Sequence, residues 1–223
     1  MRLKAILWDM DGTLIDSEPA HQQALSAAMT SLGSTVLTNI HDRLLGASYV
    51  EVHQVVREVT GLNLSLHEWN SLKWKYYLTY CKDIKLLKNR QTILDTLIAR
   101  GVPMALVSNS TRDEVDLSLK VTDLNDYFHI TVSRNDVAQG KPAPEGYLAA
   151  ATALSIAPNQ CLVIEDSVTG AKAGLAAGMT TLFHPETEAL CKRCPQGAIL
   201  LPPKESLSRW LTDSFSDCSL NPA

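Results

Sequence analysis

The chain opens with a short apolar run that ends abruptly in acid: Ala5-Ile6-Leu7-Trp8 gives way to Asp9-Met10-Asp11-Gly12. A run this short is no helix, and the glycine after the acids marks a turn, so the segment reads as a buried strand and its turn. The pattern recurs. Val102-Pro103-Met104-Ala105-Leu106-Val107 ends in Ser108-Asn109-Ser110, and Cys161-Leu162-Val163-Ile164 ends in Glu165-Asp166-Ser167. Thr180–Phe183 and Ala198–Leu201 are weaker strand candidates. Helical spacings lie between them: Ile93, Leu94, Leu97 and Ile98 with Gly101 as a C-cap; Tyr147, Leu148, Ala151 and Leu154 after Pro142 and Pro144; and a helix capped by Ser167 that runs through Ala171, Leu175 and Ala176 to Gly178. Strands alternating with helices predict an α/β fold, a Rossmann-like parallel sheet with helices on both faces.

One stretch breaks the rhythm. Between Asp16 and about Leu87 the sequence offers no convincing strand. It carries amphipathic helical patterns instead: Ala24, Leu25, Ala28, Met29 and Leu32; then Val52, Val55, Val56 and Val59; then Leu66, Trp69, Leu72 and Tyr76. About seventy residues is far too long for an ordinary connection from strand to helix. The expected organisation is therefore a core made of residues 1–15 and 87–223, with an all-helical domain, residues 16–86, inserted after the first strand. No internal repeat or low-complexity tract is visible, and the tail from Leu211 to Ala223 reads as polar and frayed.

Composition narrows the classes of partner. Hydrophobic residues make up 45% of the 223 residues and charged residues 20%, so the chain can bury a sizeable core. The net charge of −4 offers no basic face for a nucleic-acid backbone. No apolar run reaches the roughly 20 residues of a membrane span. Asp9 and Asp11 interrupt the first apolar run far short of a signal-peptide core, so the expected compartment is the cytoplasm. The odd count of five cysteines argues against a disulfide framework; Cys191-Lys192-Arg193-Cys194 is at most half a zinc site and reads as reduced thiols.

In open α/β sheets, ligands bind beyond the carboxyl ends of the strands. The first strand delivers Asp9 and Asp11 there, the second Ser108 and Asn109, and a later one Glu165 and Asp166; Lys141 stands just before the prolines that open a helix. Each element alone has an ordinary reading: Asp-Gly as a turn, Ser108 as a helix cap, Lys141 as a solvated lysine, Glu165-Asp166 as complements to a helix dipole. Their shared position at strand ends gives them a joint meaning. Clustered carboxylates repel one another unless a cation binds or some are protonated. An all-oxygen set suits a hard ion, and Mg2+ is the usual cytosolic choice. Carboxylate, Mg2+, lysine and hydroxyl are also the parts that phosphoryl transfer needs, and a carboxylate can itself become an aspartyl-phosphate.

These motifs resemble, in order along the whole chain, those of the haloacid dehalogenase-like hydrolases. Asp9-Met10-Asp11-Gly12-Thr13-Leu14-Ile15-Asp16-Ser17-Glu18 is similar to their first motif and Ser108 in Val107-Ser108-Asn109-Ser110 to their second. Gly140-Lys141-Pro142-Ala143-Pro144 is similar to the third, and Ile164-Glu165-Asp166-Ser167 with Gly170 and Ala171-Lys172-Ala173-Gly174 to the fourth. A helical insert between the first two resembles the subgroup that holds phosphoglycolate phosphatases, sugar-phosphate phosphatases and β-phosphoglucomutases. The resemblance implies a Mg2+-dependent phosphatase for a small phosphorylated metabolite. Asp9 would be nucleophile and metal ligand. Asp11 would be general acid and then general base, its backbone carbonyl on the metal. Asp166 would bind the metal, with Glu165 as a direct or water-mediated ligand. Ser108 and Lys141 would hold the phosphoryl group, Asn109 would assist, and Thr13 would buttress the loop. Dehalogenases of this superfamily lack an acid at the position of Asp11 and its transport ATPases carry threonine there, so Asp11 points to phosphatase or phosphomutase.

The insert would act as a mobile cap that excludes water and reads the leaving group. Its candidate substrate contacts are His21, Tyr49, Lys73 and Lys75; the two lysines lie two apart on a helix, so at most one points inward. Trp69, Trp74, Tyr76 and Tyr77 read as cap core. The β-phosphoglucomutases carry a basic residue in the cap just after a Gly-x-Ser, where it grips a second phosphate. Here the stretch is Leu45-Gly46-Ala47-Ser48-Tyr49, and a phenol offers one donor where arginine offers a charged fork; Arg43, Lys73 or Lys75 would have to supply the charge instead. The expectation is thus a phosphatase rather than a mutase. A phospho-receiver signalling domain uses similar residues but needs about half this length, and a binding-only relative would lack catalytic residues that are present here. No motif sets the oligomeric state, and a monomer is compatible with all of them.

Overall fold

The computed structural model describes residues 3–34, 40, 49–61 and 63–215; the side chain of Tyr49 falls outside that set. So do Arg43 and Leu45–Ser48, on which the argument against a mutase rests, and Cys218. The chain divides into two compact units, Met1–Asp16 with Lys85–Ala223, and Ser17–Ile84.

The first unit is built on a six-stranded parallel sheet in the order β5-β4-β1-β6-β7-β8. Its strands are β1 (Ala5–Trp8), β4 (Met104–Val107), β5 (Thr131–Val132), β6 (Cys161–Glu165), β7 (Thr180–Phe183) and β8 (Ile199–Leu200). Helices α4 (Arg90–Ala99), α5 (Arg112–Val121), α6 (Glu145–Ala153), α7 (Val168–Ala176), α8 (Glu188–Cys191) and α9 (Leu207–Ser214) connect and follow them. Every residue of β1, β4 and β6 is buried, which explains why these strands are continuous apolar runs rather than alternating ones. Ala5 and Leu7 of β1 pack into a core with Ala105, Val107, Val163 and Tyr147. Register is fixed on both sides of the central strand: Leu7 pairs with Ala105 and with Val163. Because all the strands are parallel, the turns after β1, β4 and β6 emerge at one edge.

Three strands are additional to those visible in the sequence. β5 is only two residues long, as are β2 (Ile15–Asp16) and β3 (Lys85–Leu86), which pair antiparallel with each other. Pairs this short carry no periodicity to read. The tail is also less frayed than expected: α9 runs to Ser214, and Leu207, Leu211 and Phe215 are buried, because the polar stretch hides one apolar helical stripe.

The second unit contains α1 (Glu18–Ser31), α2 (Tyr49–Thr60) and α3 (Leu66–Tyr80). Leu25, Ala28, Met29, Ile40, Val56 and Trp69 form its core. A capping box starts α3, with Ser65 Oγ accepting from Glu68 N and Glu68 Oε2 accepting from Ser65 N.

Candidate active site

The turn after β1 is tight. Asp9 N donates to Ile164 O across to β6 at 3.1 Å, Leu14 N donates to Met10 O at 2.9 Å, and Gly12 N to Ile15 O at 2.9 Å. Gly12 sits at φ +77°, and a Cβ there would lie 2.4 Å from Asp166 Oδ2, so the turn admits no side chain at this point. Thr13 Oγ1 donates to Asp166 Oδ1 at 2.9 Å, which ties the first strand's turn to that of β6. From α4, the buried Arg90 donates its Nε to Thr13 O at 2.6 Å.

Lys141 stands at the centre. Its Nζ donates to Asp9 Oδ1 at 2.5 Å, to Glu165 Oε1 at 2.6 Å and to Val107 O at 2.9 Å, and lies 4.9 Å from the centre of the Tyr147 ring. Burial opposes its charge, but Asp9 and Glu165 hold the ammonium above its ordinary range. Asn109 fixes the backbone beneath it, since Lys141 N donates to Asn109 Oδ1 at 2.8 Å and Asn109 Nδ2 to Lys141 O at 3.1 Å. The Asn109 amide is thus engaged with the lysine's loop.

Glu165 has no exposed surface and accepts from four donors: Lys141 Nζ and Tyr147 Oη (2.8 Å) on one oxygen, Ser167 N (3.2 Å) and Ser167 Oγ (2.9 Å) on the other. Gly170 leaves room for it, as a Cβ there would fall 1.6 Å from Glu165 Oε1. Tyr147 escaped the sequence reading because it sits at an apolar helical position; only its hydroxyl reveals the second role.

Asp9, Glu165 and Asp166 each offer an oxygen, all within 4.8 Å of one another. Among the described residues this is the one cluster of three or more side chains able to hold a metal, and Cys191 and Cys194 belong to none. Burial first, and then the neighbouring Glu165, raise the Asp9 carboxyl well above its ordinary value and Asp166 to about 7. Carboxyls raised in this way are what a hard cation relieves, so Asp9 and Asp166 fit Mg2+.

The Asp11 carboxylate points elsewhere. Its Oδ2 accepts from Ser110 Oγ at 2.8 Å and from Ser108 Oγ at 3.4 Å. In the helical unit, His21 stacks on Tyr77 with ring centres 4.6 Å apart, and Tyr77 stacks on Trp74 at 5.7 Å. Burial and the charge of Lys73 lower the His21 imidazole well below its usual value. Lys75 Nζ lies 5.9 Å from the centre of the Tyr76 ring. The two lysines thus have different surroundings.

A parallel sheet that gathers aspartates, a lysine and hydroxyls at its carboxyl edge, with a helical unit inserted after the first strand, defines a phosphoryl-transfer type of hydrolase fold. The haloacid dehalogenase-like hydrolase family profile matches residues 3–178, and the chain belongs to that family. It is 32% identical over 181 residues to a bifunctional riboflavin kinase/FMN phosphatase of Arabidopsis thaliana, covering 81% of this chain but 48% of that protein, so it spans about half of that relative. It is 26% identical over 182 residues to a phosphorylated carbohydrates phosphatase of Thermotoga maritima, covering 81% of this chain and 84% of that one. Among solved structures it is similar to a putative β-phosphoglucomutase from Thermotoga maritima, with a TM-score of 0.77, 26% identity, and coverage of 95% and 99% of the two chains. No helix among the described residues is long and apolar enough to cross a membrane.

Proposed function

We propose that the chain is a Mg2+-dependent phosphatase that hydrolyses a small phosphorylated metabolite of the sugar-phosphate or phosphoglycolate kind through an aspartyl-phosphate on Asp9. The observation that carries this reading is the convergence on Lys141 Nζ of Asp9 and Glu165, with the Asp11 carboxylate turned onto a separate pair of hydroxyls. Asp9 Oδ attacks phosphorus and the bond to the ester oxygen breaks. Asp11 gives that oxygen its proton, and the alcohol leaves. Water then attacks the same phosphorus, Asp11 takes the water's proton, and the bond to Asp9 breaks to release phosphate and restore the carboxylate. Ser108 and Lys141 hold the transferring oxygens. Asp9, Asp166 and the Asp11 backbone carbonyl would hold Mg2+, and Glu165, with both oxygens already engaged, would reach it through water. Bound there, Mg2+ supplies positive charge to the transferring oxygens. His21, Tyr49, Lys73 and Lys75 would read the leaving group from the helical unit.

The phosphatase name and phosphorylated-carbohydrate substrate of one relative support the reaction and the substrate class. The likeness to a putative β-phosphoglucomutase favours a second reading, a mutase, against which Tyr49 speaks in the sequence. One experiment separates them. The protein is given a panel of sugar phosphates and phosphoglycolate with Mg2+, with and without excess chelator, and β-glucose 1-phosphate with a trace of glucose 1,6-bisphosphate. The expected result is inorganic phosphate from at least one substrate and no turnover with chelator. Full activity in chelator removes the metal, and glucose 6-phosphate forming much faster than phosphate overturns the phosphatase in favour of a mutase.

A further inference from the structure

Ser110 lies two residues beyond Ser108 and has no part in the chemistry described above. It is nearly inaccessible, with 9% of its surface exposed, and its Oγ makes the shorter of the two hydroxyl bonds to Asp11 Oδ2, 2.8 Å against 3.4 Å from Ser108. The difference is chemical as well as metric. A 3.4 Å contact between oxygens is at the outer limit of a hydrogen bond. Ser108 is also the hydroxyl that a phosphoryl group would claim. Its oxygen already accepts from Ser110 N at 2.9 Å, so its single proton goes either to Asp11 or to the substrate. A phosphoryl group that took that proton would break the longer Ser108 bond to Asp11 and leave the Ser110 bond in place.

The mount of Ser110 is rigid. Its N–H is committed to Ser108 Oγ, and its carbonyl accepts from Arg134 N at 2.9 Å. The next residue, Thr111, caps α5 in a box with Glu114: Glu114 Oε2 accepts from Thr111 N and Thr111 Oγ1, both at 3.0 Å. Glu114 is itself buried, so the turn that carries Ser110 is anchored into the core.

We infer that Ser110 is a positioning residue for the general acid and base: its hydroxyl keeps hold of the Asp11 carboxyl, and so limits where it can swing, once Ser108 has turned to the phosphoryl group. This rests on the reading of Asp11 given above. Its signature is selectivity for leaving groups. An alkoxide must be protonated as it departs, whereas p-nitrophenolate is stable as an anion and leaves without a proton. A misplaced Asp11 therefore slows phosphorylation by an alkyl ester and spares phosphorylation by p-nitrophenyl phosphate.

The test compares kcat/KM for glycerol 2-phosphate and p-nitrophenyl phosphate in the wild type, Ser110→Ala, Asp11→Asn and the double variant. The ratio of the two constants on one preparation does not depend on the fraction folded. Ser110→Cys, which fills the same space with a weaker donor, provides the comparison should the alanine variant not fold. Ser110→Ala should lose about 10- to 100-fold on glycerol 2-phosphate, less than the full contribution of a general acid, and about threefold or less on p-nitrophenyl phosphate. Asp11→Asn should show the same split more strongly, and in that background Ser110→Ala should cost less than about twofold on either substrate. Equal losses on both substrates, or no loss on either, overturn the role of Ser110. An Asp11→Asn protein that shows the split while Ser110→Ala does not overturns this inference and leaves Asp11 standing. An Asp11→Asn protein without the split overturns the reading of Asp11 itself.

Discussion

The two flanks of the turn after β1 hold their carboxylates in different ways. On the β6 flank, charge is met by charge: the Lys141 ammonium bridges Asp9 and Glu165, and Glu165 accepts from four donors with no exposed surface. On the β4 flank, hydroxyls hold the Asp11 carboxylate, and the nearby buried Glu114 is bonded to the backbone and hydroxyl of Thr111. Ionic hydrogen bonds in a buried setting are short and strong, and they fix geometry at the cost of adaptability. Neutral donors orient a carboxyl group without adding a second charge beside it. The difference fits the roles proposed above, with binding and nucleophile on one flank and proton transfer on the other.

The largest expected effect comes from the proposed nucleophile on the ionic flank. Asp9→Asn keeps an oxygen that can accept from Lys141 but lacks a nucleophilic carboxylate, so turnover should fall by on the order of 10⁴-fold or more. Steady-state rates with p-nitrophenyl phosphate and acid-quenched assays for phosphorylated protein both check it. More than about 1% residual turnover would place the nucleophile elsewhere and dissolve the comparison.

A smaller effect tests the ionic flank alone. Tyr147→Phe removes one of the four donors to Glu165 and leaves the Lys141 bond in place. Loss of a donor to a buried charged acceptor costs about 1–3 kcal/mol, which in a chain of this size lowers Tm by about 2–4 °C per kcal/mol. If Glu165 aims Lys141, the inhibition constant of inorganic phosphate should rise by about 3- to 10-fold while kcat moves less. A lower Tm with unchanged phosphate affinity would reduce Tyr147 to a structural role and make the β6 flank less specialised than its geometry suggests.

The strands β1, β4 and β6 could be read from sequence because they are buried on both faces and bounded by acids, glycine or serine, and the site followed from what their ends deliver. What escaped reading had a common physical cause. β2, β3 and β5 are two-residue pairings, formed because the chain brings them together rather than because of a local pattern. Tyr147 and Leu211 each belong to a helix face whose period was legible or nearly so, but the partner of a tyrosine hydroxyl depends on a residue eighteen positions away. Ser110 has no legible role in the sequence, because a serine two residues from another serine carries no signal until a carboxylate lies 2.8 Å away. The amide of Asn109 likewise reads as a substrate contact by position and is engaged with the backbone of Lys141 in space.

The smallest effect belongs to the neutral flank and is read as stability against pH. Burial, despite the bond from Thr111 N, and with the charge of Asp11 adding to it, raises the Glu114 carboxyl to about 7 from the ordinary 4.5. The folded chain therefore keeps this proton up to about pH 7, whereas the unfolded chain releases it near 4.5. Between those values the unfolded state binds fewer protons, so stability falls as pH rises; the contribution is fully present below the lower value and lost above the upper one. The gap corresponds to about 3 kcal/mol as an upper bound. Glu114→Gln is neutral throughout and its amide oxygen can still accept from Thr111 N. The variant should match the wild type below about pH 4 and exceed it near pH 8, by up to about 3 kcal/mol. Urea unfolding of both proteins at a series of pH values measures the difference directly, which cancels the contributions of Asp9 and Asp166. Parallel curves for the two proteins would mean that Glu114 is ionised in the fold, and the β4 flank would then hold a second buried charge rather than a proton.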